Sequence, residues 1–167
     1  MGTVLALDPE VELERLFRDY VHRHFAQREE YQEAIMARRL QQEFKRAAVT
    51  GYRPGQLGDD VYKFRMPFVR GDFDKVDGVR AIKPLNLAQA DTTKIIDHGD
   101  LWNKRVERLL CLNVRPDNLL FPVRIPDHAK RGGVAREICE DLQQKGVRVV
   151  PYGQRTEILE FAQAGNR

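Results

Sequence analysis

NLLFPVRIPDHAKRGGVAREICEDLQQKGVRVVPY, residues 118–152, decides the fold class of this chain. Leu119 to Ile125 is a short, almost unbroken apolar run of strand length, and Val147 to Val150 is a second. Between them Val134, Ile138, Cys139 and Leu142 recur at helical spacing, and Gly146 stands where a helix C-terminus favours glycine. Strand, basic glycine-rich loop, helix, strand is the pattern of a parallel βαβ unit with a right-handed crossover.

Working upstream, VYKFRMPFV at 61–69 alternates Tyr62, Phe64, Met66 and Phe68 with Lys63, Arg65 and Pro67, which predicts a half-buried strand. Pro67 cannot donate to a ladder, so an edge position, or an end of the strand at that point, is expected. An acidic loop, 70–78, leads into a second strand over Val79–Leu87, making an antiparallel hairpin. Asp91-Thr92-Thr93 caps a helix carrying Ile95, Trp102, Val106, Leu109 and Leu110, in which Gly99 is expected to cause an interruption and Asp100 a recapping. The fold class is therefore α/β, bordering on α+β. It has a mixed sheet of about four strands, an N-terminal antiparallel hairpin, a C-terminal parallel βαβ unit and flanking helices.

Residues 1–50 form an N-terminal helical segment. Asp8-Pro9-Glu10 is a helix start, with an N-cap acid, proline at the first turn and an acid facing the positive end of the dipole. Apolar positions run Leu13, Leu16, Phe17, Tyr20, Val21, Phe25, lapse over 26–30, and resume at Tyr31, Ile35, Met36, Leu40 and Phe44. A single helix over 9–49 would be ~60 Å long, so a break at 26–30 into a helical hairpin is expected, or else a projecting helix that packs on another copy. Residues 51–60 read as a linker, and 61–167 as the α/β domain.

The 167 residues carry a net charge of +3, but the distribution is uneven: 101–155 hold eleven Lys/Arg against six Asp/Glu. Such an excess favours an anionic partner. The chain contains no serine, which excludes a Ser-His-Asp hydrolase, and it has no P-loop, GxGxxG, HExxH or CxxC pattern. No apolar run is long enough to cross a bilayer. The Val4–Leu7 patch lacks the basic flank and length of a signal peptide. Cys111 and Cys139 sit on apolar helix faces, as buried free thiols of a reducing compartment would, so the cytoplasm is the expected location.

Two stretches are candidates for a site. The loop of His128, Lys130, Arg131, Gly132 and Gly133 leaves a strand and enters a helix N-terminus, where unpaired N–H groups and the dipole suit a phosphate. Lys104, Arg105 and Arg108 on the Trp102 helix, with Arg124, would extend it into a basic surface that contacts phosphates without reading bases. The second candidate is the acidic hairpin with Lys83: Asp72, Asp74 or Asp77 followed by a lysine on the next strand. In element order this resembles the metal-dependent nucleases of the PD-(D/E)XK type. The resemblance spans residues 61–125 and implies Mg²⁺ held by two carboxylates while Lys83 positions a water. The triplet here is Ala81-Ile82-Lys83, so the second acid of the family's motif is missing. His98, one turn before Trp102, could pair with it at a helix kink.

These features point to a non-catalytic module that binds nucleic acid or another polyanion through a basic surface and needs no cofactor. A degenerate metal-dependent nuclease is one alternative. The other is a protein–protein adaptor that forms a homodimer through residues 9–49. No membrane partner is expected.

Overall fold

The computed structural model describes residues 8–71 and 78–164, without the side chains of 21–29. Its elements are α1 (Pro9–Arg46), β1 (Arg53–Gly58), β2 (Lys63–Arg70), β3 (Arg80–Ile82), β4 (Leu85–Asn86), α2 (Thr92–Cys111), a 3₁₀ turn (Pro116–Asn118), β5 (Leu119–Arg124), α3 (Ala129–Gln144), β6 (Arg148–Pro151) and α4 (Arg155–Gln163).

The sheet is mixed and α/β in class, with six strands among the described residues rather than about four. β1, β2 and β3 are antiparallel neighbours. β5 then runs parallel to β3 and β4 along one edge and to β6 along the other. The βαβ unit stands as β5–α3–β6, and β3–α2–β5 makes a second parallel crossover.

Helices cover both faces, and each face has its own core. Phe64, Met66, Ala81, Leu119, Phe121 and Val123 point towards α2 and α3, meeting Trp102, Val106, Ile138 and Leu142. Phe68, Ile82 and Leu120 point the other way, towards Met36, Leu40 and Phe44 of α1 and Ile158 and Phe161 of α4. Strand alternation explains the split, because successive side chains leave opposite faces.

Several expectations are corrected. α1 is one helix, with no hairpin at 26–30: Glu10–Arg46 contains neither glycine nor proline, and a polar lapse does not by itself break a helix. Its 38 residues extend ~57 Å. The stretch read as a linker carries β1, which pairs with β2 through backbone bonds and buries only Leu57.

Strand β2 is therefore interior, not an edge, and Pro67 is accommodated by an irregularity. The register passes from Gly55↔Met66 to Arg53↔Val69, leaving an extra β2 residue unmatched. The same step turns Phe68 into the opposite core from Phe64 and Met66, so the expected single buried face of 62–68 is divided between two. At the other end of the pair, Gly58 turns the chain at φ +135° and the Asp59 carboxylate accepts N–H bonds from Val61 (2.9 Å) and Tyr62 (2.7 Å).

α2 is continuous through Gly99, which needs no recapping. Gly99 is instead the point of closest approach to α3: a β-carbon there would collide with the Ile138 side chain. Cys139 is buried as expected, whereas Cys111, on the last turn of α2, is exposed. No described helix is long and apolar enough to cross a membrane.

Candidate functional site

The strand expected over 79–87 is interrupted at Lys83-Pro84. β3 ends at Ile82 and β4 resumes at Leu85, both alongside β5. Lys83 keeps one backbone bond, donating its N–H to Leu120 O at 2.9 Å. Its side chain enters a groove bounded by α1, β1–β2 and α2, with a volume of about 950 Å³.

Glu33 of α1 meets it there. Met36, Leu40 and Phe44 anchor the second half of α1 on the sheet. Glu33 lies three residues ahead of Met36, on the same helical face, and is carried against the sheet with them. Its carboxylate takes three bonds. Lys83 Nζ donates to Oε2 at 2.6 Å, His98 Nε2 lies 2.6 Å from Oε1, and the Asn86 N–H donates to Oε1 at 3.0 Å. An ionised carboxylate only accepts, so His98 carries its proton on Nε2.

The Glu33 and Lys83 side chains are each 11% exposed. Burial pushes the Glu33 carboxyl up. The hydrogen bond from His98, the Lys83 ammonium and the His98 ring together outweigh it and bring the group down to about 2. The charges are thus matched where water is scarce, as a buried pair requires.

Trp102, one turn beyond His98, lies between two cations. Lys83 Nζ is 5.0 Å from its ring centroid and the Arg105 guanidinium 4.6 Å. Its edge contacts with Phe64 (5.8 Å) and Phe121 (6.0 Å) fix the indole in the core. Arg105 is held by Tyr62, whose hydroxyl accepts from Nε at 3.2 Å.

The rim of the groove is cationic. Six Lys/Arg line it against Glu30 and Glu33. Of these, Lys83 is committed to Glu33, while Arg38, Lys45, Arg53 and Arg65 are exposed and make no ion pair among the described residues. Phe44, Tyr52 and Phe68 supply an apolar wall. A cleft with an apolar wall, a fixed polar floor and a positive rim attracts anions and adds contact area for an organic part.

The residues singled out from sequence are distributed over several places. Arg105 and Lys83 share the groove. Arg108 stacks over Tyr62 at 4.8 Å, and Lys104 is exposed on α2. Arg124 lies across the sheet, 5.2 Å over Tyr152. At the start of α3, His128 is the N-cap: its Nδ1 accepts the Arg131 N–H at 3.3 Å, so one amide expected for a phosphate is already bonded. Arg131 donates to Ala90 O at 3.0 Å, Lys130 is exposed, Gly132 is buried beside Pro126 O, and Gly133 faces open space.

Asp72, Asp74 and Asp77 lie outside the described residues. Among the described residues no group of three His, Cys, Asp or Glu is placed to hold a metal ion. Glu33 is the residue that sequence reasoning missed. The available signal was an acid on the apolar face of α1, where only a buried partner would make it tolerable.

No protein-family model matches this chain, and no curated protein or solved structure is significantly similar to it, so the geometry of the groove alone carries the functional reading.

Proposed function

We propose that this protein is a non-catalytic binding module whose groove between α1, β2 and α2 takes an anionic partner, nucleic acid foremost. The observation that carries this reading is the excess of cations on the groove: six Lys/Arg against two Glu, four of them exposed and without an ion pair among the described residues. Arg38, Lys45, Arg53 and Arg65 contact phosphates at the rim. Arg105 adds a charge held in place by Tyr62 and Trp102. Arg124 and the basic residues at the start of α3 do not line the groove and are peripheral to this binding.

The test is fluorescence anisotropy with labelled single-stranded and duplex oligonucleotides over a salt series. Affinity falls linearly on a log–log plot, and Arg38→Ala or Arg65→Ala each lowers the slope by ~1. Affinity that is flat with salt, or unaffected by both substitutions, overturns the proposal.

A second reading keeps the metal-dependent nuclease, on the single observation that Lys83 closes β3 beside an acid from another element. It requires one of Asp72, Asp74 and Asp77 to complete a metal site. Cleavage supported by Mg²⁺ or Mn²⁺ and lost in Lys83→Ala would establish it; no cleavage with either ion removes it.

A further inference from the structure

We infer that the first half of α1 is a homodimerisation helix, whose apolar row is covered by the same row of a second copy. This inference is independent of the groove. Among the described residues, α1 is anchored to its own sheet through its second half, by Glu33, Met36, Leu40 and Phe44. Ahead of that anchor Leu13, Leu16, Phe17 and Tyr20 fall at i, i+3, i+4 and i+7, one side of a helix, and each is 54–68% exposed. These four leave roughly 500 Å² of apolar side chain in water per copy, taking about 100–150 Å² for each. That matches the largest patches seen on monomers, which are commonly functional. Set face to face, two such rows bury about 1,000 Å² before the stems of flanking charged residues are added, close to the lower bound of a stable interface.

The charges around the row select the occupant. Asp8, Glu10, Glu12, Glu14 and Asp19 outnumber Arg15 and Arg18 over residues 8–20. An amphipathic helix that lies on an anionic membrane has a Lys/Arg-rich polar face, and a nucleic acid is repelled by an acidic one. A second copy is accommodated if the helices run antiparallel, because each acidic first turn then lies away from the other and the helix dipoles are opposed. A parallel pair would bring both acidic turns together.

Sedimentation equilibrium on the full chain tests the inference. The wild type is expected to be a dimer at tens of micromolar, and Leu13→Glu with Phe17→Glu to weaken the dimer by about a hundredfold or more. The near-UV circular dichroism of Trp102, in the distant core, should be unchanged and so show that the domain is folded. If that double variant does not fold, Tyr20→Arg supplies the same test. Spin labels at Glu10→Cys in a Cys111→Ala background should report a separation of ~20 Å between copies, against ~10 Å for a parallel pair. A monomeric wild type, a dimer indifferent to these substitutions, or the shorter label distance would overturn the inference.

Discussion

Replacing Glu33 by Gln removes one charge and almost no volume, so its cost isolates the electrostatics of the groove floor. Glutamine can still accept from Asn86 and His98, but its amide nitrogen faces Lys83, setting donor against donor and leaving an ammonium unpaired where its side chain is 11% exposed. Two estimates of the magnitude agree. The Glu33 carboxyl lies at about 2 against an ordinary 4.5, and a gap of that size corresponds to ~3 kcal/mol. Removing one member of a buried pair typically costs about 3–5 kcal/mol. For a chain of this length ~3 kcal/mol lowers the melting temperature by ~6–12 °C.

The sign with pH follows from the direction of the shift. A depressed carboxyl stabilises the fold fully above its unfolded value, 4.5, and loses that contribution as pH falls towards 2. Urea unfolding of wild type and Glu33→Gln at neutral pH and near pH 3 should therefore show a gap that narrows in acid. In the background of Lys83→Met, Glu33→Gln should cost far less, since no unpaired ammonium remains. A gap below ~0.5 kcal/mol at neutral pH, the level of an ordinary surface change, or one that does not narrow in acid, would refute the account of the clamp.

Three further outcomes are expected. Gly99→Val drives a side chain into Ile138 and should destabilise by ~1–3 kcal/mol or more in thermal unfolding, with Trp102 fluorescence reporting the repacking of α2 on α3. In the native protein a thiol reagent should label Cys111 quickly and Cys139 only on unfolding, since burial, with help from neighbouring Glu140, pushes the Cys139 thiol up to about 11. His128→Ala should cost ~0.5–1 kcal/mol of stability through the lost cap while leaving the affinity for polyanions unchanged; a large loss of affinity would return the α3 loop to the binding surface.

The parts of the fold that were legible are those encoded in contiguous residues. The β5–α3–β6 unit could be read because β5 is buried on both faces and so appears as a nearly unbroken apolar run, because α3 carries its apolar residues at helical spacing, and because Gly146 marks the end of the helix. β1 was hidden because an edge strand held by backbone bonds needs little side-chain pattern, and Arg53–Gly58 is rich in glycine and proline. The change of face at Phe68 comes from a register step against Pro54–Gly55, visible only once the two strands are paired. Lys83 was singled out from the sequence, but beside the aspartates that precede it in the hairpin. Its partner Glu33 stands 50 residues before it, and His98, which shares that carboxylate, 15 after, joined by tertiary contacts that no local motif records.

That long span has a consequence for how the groove comes into being. Glu33 closes on Lys83 across 50 residues and on His98 across 65, so the polar floor exists only where the central sheet, α2 and α1 are all in place. A truncated product lacking α1 would keep much of the α2–α3 core yet possess no cleft. Occupancy of the groove would therefore serve as a reporter of complete maturation, separating finished molecules from incompletely docked ones.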